Sequence, residues 1–68
     1  MRITLNGKLE DLPDSMMVGA LVDRLGLGER QSGVAVAVND CVVPRSQWPN
    51  TRLEEGDRVE LVGAVSGG

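Results

Sequence analysis

Apolar and polar residues alternate at the start of the chain. Ile3 and Leu5 are interleaved with Arg2 and Thr4, the period-two pattern of a half-buried strand. Asn6-Gly7 follows at once and suits a type I′ hairpin turn, whose two central residues both need positive φ, so residues 8–12 should return antiparallel. Glu10 and Asp11 sit side by side on that return strand, as on a sheet edge where charge discourages pairing with a second molecule. Beyond Pro13 the period changes. Val18, Leu21, Val22 and Leu25 recur at i, i+3, i+4 and i+7, which predicts a helix over residues 16–25 with one aliphatic face, capped by Asp14 or Ser15. Gly19 inside it costs about 1 kcal/mol relative to Ala, which points to close packing at that position. Gly26 is placed as a left-handed stop.

Residues 34–38 are apolar at every position, as in a strand with a helix on one face and some other cover on the opposite one. Asn39-Asp40 marks a turn, and Cys41, Val42 and Val43 form a short return strand closed by Pro44. Residues 45–53 read as irregular, broken by Pro49 and Asn50 and anchored by Trp48, whose large ring favours packing over binding. After a turn at 54–57, Val59 and Leu61 alternate with Arg58 and Glu60 as a last strand. The expected organisation is an α+β domain over residues 1–63 and a flexible tail, 64–68, of Ala64, Val65, Ser66, Gly67 and Gly68. A glycine-rich run, 26–33, follows a helix where phosphate-binding loops follow a strand, so it is not read as one.

Composition narrows the chemistry. With 68 residues, 41% of them hydrophobic but with no Phe or Tyr and one Trp, the chain fits one domain around a compact aliphatic core. A net charge of -3 with both signs dispersed argues against nucleic acid as a partner. No run approaches the ~20 apolar residues of a membrane span, and no basic-then-apolar leader opens the chain, so a cytoplasmic location is expected. The chain has no His and only Cys41, which argues against a zinc cluster, an activated Cys/His pair and catalysis in general. Cys41 itself reads as a small buried hydrophobe. Asp11, Asp14, Glu54, Glu55 and Asp57 sit in or beside turns and read as solvated charge. No bound cofactor or metal is expected. The terminal carboxylate of Gly68 is then the group left for activation.

The order strand, strand, helix, strand, strand, strand and glycine tail is the β-grasp arrangement, and particular residues extend the likeness. Val38-Asn39, Val43-Pro44-Arg45 with Trp48, Glu55-Gly56-Asp57 and the final Gly67-Gly68 make the chain resemble the ubiquitin-like sulfur carriers, and among them those of thiamine biosynthesis. Val62 and Ser66 depart from that family's pattern, which has an aromatic residue and Ala there. The resemblance implies a mixed sheet of about five strands packed on one helix. It also implies that a separate ATP-dependent adenylating enzyme activates Gly68, which is then converted to a thiocarboxylate. The sulfur comes from a donor such as a cysteine desulfurase and passes to thiazole synthase, so the chain is a carrier and co-substrate and not an enzyme. Val65, Ser66 and Gly67 would occupy the partners' clefts, and the apolar strand 34–38, with Val59 and Leu61 nearby, would form the docking face. The small subunit of molybdopterin synthase is the nearest alternative, expected to be longer and richer in Phe. A lysine-linked protein modifier would show conjugates of higher mass. A non-covalent β-grasp binding module would keep its activity with a blocked C-terminus.

Overall fold

The computed structural model describes residues 1–26 and 33–63. Five strands, β1 (Arg2–Leu5), β2 (Lys8–Asp11), β3 (Val34–Val38), β4 (Cys41–Val42) and β5 (Arg58–Gly63), form one sheet in the order β2-β1-β5-β3-β4. Neighbours are antiparallel except for β1 and β5, which run parallel at its centre. One α-helix, α1 (Val18–Arg24), covers one face. This is the expected β-grasp. The two hairpin turns form as the sequence requires: Asn6 and Gly7 have φ of 50° and 85°, and Asn39 and Asp40 have 52° and 71°. β2 lies on the sheet edge with all four residues exposed.

The core is aliphatic apart from Trp48. Ile3, Leu12, Val18, Leu21, Val22, Val36, Val43, Leu53, Val59 and Leu61 pack around it. Of the predicted helix face, Val18, Leu21 and Val22 are buried, but Leu25 is exposed because the helix ends at Arg24 and Leu25 is its C-cap, and Gly26, at φ 77°, ends the turn after it. The start of the helix differs from expectation. Neither Asp14 nor Ser15 caps it, because Met17 occupies the N-cap position in extended conformation without a side-chain bond. Met17 instead bridges Arg52, and the Val18 N–H donates to the Thr51 carbonyl at 2.8 Å. A tertiary backbone contact thus satisfies the group that a capping side chain would otherwise serve. Asp14 is drawn away, its carboxylate accepting from the Met1 ammonium at 3.0 Å.

The segment read as irregular contains a 3-10 helix, Arg45–Asn50, with Pro49 inside it. A short 3-10 turn tolerates Pro because the missing N–H removes a single bond from a segment only a few bonds long. Its Trp48 is 3% exposed and donates from Nε1 to the Val43 carbonyl at 2.9 Å, which makes it the packing anchor anticipated for it. Cys41 is exposed, not buried. It directly follows the turn on a two-residue edge strand, with no further strand beyond β4 among the described residues.

Candidate functional site

β5 carries the chain toward the tail, and three features of the fold set its position. Its N-terminal end is held by the Glu-Gly-Asp turn: the Gly56 N–H donates to the Arg2 carbonyl at 2.8 Å, and the Arg2 N–H donates to Glu55 Oε1 at 2.9 Å. Asp57 Oδ2 accepts the Glu54 N–H at 2.8 Å. These carboxylates, read from sequence as solvated charge, close the turn by accepting backbone N–H groups. Along one side β3 pairs with β5 through to Val34 opposite Gly63. On the other side β1 pairs only with Arg58 and Val59.

Asparagines from the two hairpin turns complete the restraint. Asn39 Oδ1 accepts the Arg58 N–H at 2.9 Å while its Nδ2 donates to Asp57 Oδ1 at 3.0 Å. Asn6 Oδ1 accepts the Leu61 N–H at 2.9 Å, and its Nδ2 donates to the Leu61 carbonyl at 3.1 Å. Reading Asn6 as a turn residue overlooks this second role, which depends on where β5 lies in space.

The sheet face away from α1 carries the candidate docking surface. Directly opposed residues share a face, so the register places Val62 beside Ala35, Glu60 beside Ala37, and Ala37 beside Val42. Val42 and Val62 are 75% and 64% exposed. Apolar side chains are therefore exposed on this face, but Glu60 lies among them and the membership differs from the expectation. Val59 and Leu61 belong to the opposite face and are buried under the helix, because side-chain direction alternates along β5. That alternation, visible in the sequence, already assigns Val62 to the outer face.

Charges at this end of the sheet are paired and exposed. Arg58 contacts Asp40, and the hydrogen bond followed by the carboxylate's charge raises the guanidinium pKa. Near β2, Arg2 and Asp11 meet at 2.9 Å; the hydrogen bond, and then the charge of Arg2, lower the Asp11 pKa. An open cleft between α1 and the 3-10 helix is lined by Gly19, Asp23, Arg45, Trp48 and Pro49. Among the described residues no group of His, Cys, Asp and Glu is arranged to hold a metal, and no helix is long and apolar enough to cross a membrane. Val65, Ser66, Gly67 and Gly68 lie outside the described residues, as does most of the glycine-rich run at 27–32.

Three comparisons bear on this arrangement. The ThiS family model matches residues 3–68. Sulfur carrier protein ThiS of Escherichia coli K12 is 32% identical over 68 residues, covering both chains in full. A thiazole synthase of Paramagnetospirillum magneticum is 35% identical over 68 residues, which span all of this chain but 20% of that protein. Among solved structures, the thiamine biosynthesis protein ThiS of Geobacter metallireducens superposes with a TM-score of 0.82 at 30% identity, with full coverage of both chains.

Proposed function

Because this chain belongs to the ThiS family, a family of small sulfur carriers, we propose that it carries sulfur for thiazole formation on the carboxylate of Gly68. The observation that supports the reading most directly is the match to the Escherichia coli sulfur carrier, which covers both chains in full. A carboxylate is a poor electrophile, and sulfur cannot displace its oxygen directly. Attack of a Gly68 carboxylate oxygen on the α-phosphorus of ATP, with release of pyrophosphate, gives a mixed anhydride with AMP. A persulfide sulfur then adds at the acyl carbon and AMP leaves with the electron pair of the broken C–O bond, giving an acyl disulfide; a thiol that attacks the donor's sulfur breaks the S–S bond, releases the thiocarboxylate and leaves the donor in a disulfide. Easier steps in sequence replace one difficult one. ATP binding and catalysis belong to an adenylating enzyme, and the sulfur to a donor such as a cysteine desulfurase. A chain without His contributes an acceptor and a docking surface.

Thiazole synthase is the proposed acceptor of the sulfur. The likeness of this chain to one fifth of a thiazole synthase supports the pairing, since a carrier joined to its acceptor meets it at high effective concentration. Glycines at 67 and 68 fit because a residue without Cβ lets narrow clefts of different enzymes approach the backbone closely. The outer sheet face, with Val42 and Val62, is the proposed contact for the adenylating enzyme. Intact-mass spectrometry of the chain from thiamine-starved cells tests the reading. The expected result is a species heavier by the difference between a sulfur and an oxygen atom, lost on mild hydrolysis. Its persistent absence overturns the carrier role, and conjugates to lysines of other proteins would favour a modifier instead.

A further inference from the structure

We infer that Asn6 is a positioning residue for the activated terminus, its carboxamide replacing a missing length of β1 and holding β5 in line at Leu61, seven positions before Gly68. The inference rests on the proposed role of Gly68. β1 leaves the centre of the sheet early because the chain must turn at Asn6-Gly7, so its ladder with β5 ends at Leu5 opposite Val59. β3 continues along the other side as far as Gly63. Among the described residues, β5 from Glu60 onward is thus paired by a strand on one side only. Leu61 directs its N–H and C=O into the vacated side while its own side chain is buried in the core.

The Asn6 carboxamide meets both groups at once, accepting the N–H at 2.9 Å and donating to the carbonyl at 3.1 Å. One acceptor and one donor on a single planar amide stand in for the carbonyl and the N–H that two residues of a continued parallel strand would have presented. Only Asn combines this with the turn. Its backbone sits at φ 50°, a left-handed conformation that Asn and Gly tolerate, and Gly lacks the amide. Asp has an acceptor but, ionised, would set a second oxygen against the Leu61 carbonyl. Asn39 provides a built-in comparison: it has the same turn position and φ of 52°, but its amide restrains Asp57 and Arg58 at the far end of the strand.

A clamp at Leu61 restricts the direction of β5 as far as Gly63, from which the rest of the chain continues. Loosening it lowers the fraction of carriers presented correctly to an enzyme, and apparent affinity falls by that same fraction while the chemical step, once engaged, is unaltered. The signature is therefore a change in KM with kcat preserved. In Asn6→Gly the turn is kept, and amide hydrogen exchange at Leu61, read by NMR, should quicken about tenfold as the last turn of the ladder opens more often. KM for the carrier in adenylate formation should rise, by at most the factor by which opening increases, with kcat within about twofold of the parent. Asn6→Asp should shift KM in the same direction, and serves if the glycine variant fails to fold. Asn39→Gly should lose comparable stability yet keep the parental KM. Parental KM in a folded Asn6 variant, or equal rises in the Asn6 and Asn39 variants, overturns the positioning role. Unchanged exchange at Leu61 overturns the clamp. If the parent chain forms no adenylate, the role of Gly68 falls and the kinetic part with it, while the exchange measurement still decides whether the clamp exists.

Discussion

Cys41 illustrates how a residue's surroundings depend on its neighbours more than on its type. As a residue type cysteine favours the interior, but it lies on an edge strand of two residues and is exposed. Iodoacetamide should therefore label the folded protein. Cys41→Ser should nevertheless still accept sulfur from purified partners, because the carrier atom is assigned to Gly68; loss of thiocarboxylate in a folded Cys41→Ser protein would transfer the chemistry to the thiol. Asp11 makes a prediction in pH. Arg2 lowers its pKa in the folded state, so the pair stabilises above the unfolded value of about 3.9 and that contribution is lost as pH falls through the lower folded value. Both groups are exposed, so the effect is small. Asp11→Asn should be slightly less stable than the parent in urea titrations at neutral pH and should converge with it in acid. A difference that widens in acid would contradict the assigned sign.

At the scale of elements, α1 and the 3-10 helix meet at Gly19. A Cβ built there would lie 3.5 Å from the Trp48 carbonyl carbon and oxygen and 3.6 Å from Pro49 Cα, which is ordinary van der Waals contact. The close approach expected at Gly19 exists, at the second residue of the helix, but it leaves room for one methyl. Gly19→Ala should therefore gain up to about 1 kcal/mol from helix propensity, measured by chemical denaturation; a loss of stability would mean that the two helices cannot yield even slightly. The sheet makes a complementary prediction. Val42→Asp and Val62→Asp alter exposed positions on the face away from α1, so circular dichroism and unfolding should stay within roughly 0.5 kcal/mol of the parent. Affinity for the adenylating enzyme should fall, because a charge would be buried in an apolar contact. Parental affinity in both variants would remove this face from the docking surface.

For the molecule as a whole, the buried core of the described residues and the proposed reacting group lie in different parts of the sequence. The buried cluster runs from Ile3 to Leu61, and the proposed reacting group is at Gly68. A domain of this length has a total stability of about 3–10 kcal/mol at ~0.05–0.15 kcal/mol per residue, so the distinction is open to measurement. Adding one residue after Gly68 moves the carboxylate ~3.3 Å along the chain, large beside the ~1 Å misplacement that can cost 100-fold in rate. Thermal unfolding should match the parent while thiocarboxylate formation is almost abolished. Parental accumulation of thiocarboxylate in the extended chain would exclude the terminus as the carrier atom.

Local chemistry was enough to determine much of this from sequence. Two left-handed pairs, Asn6-Gly7 and Asn39-Asp40, define both hairpins, and period-two and period-3.6 spacing identifies the strands and the buried face Val18, Leu21, Val22. Those signals work because backbone conformation and side-chain direction repeat over a few residues. Whatever depended on distant residues could not be read in this way. The helix begins at Val18 because the Thr51 carbonyl reaches its N–H, and Ser15 and Asp14 are left out although their residue types suit a cap. Val59 and Leu61 turn from expected docking residues into core because α1 lies over their face. Asn6 becomes a clamp on Leu61, 55 residues away, because the parallel pairing of β1 with β5 brings the first turn of the chain against its last strand.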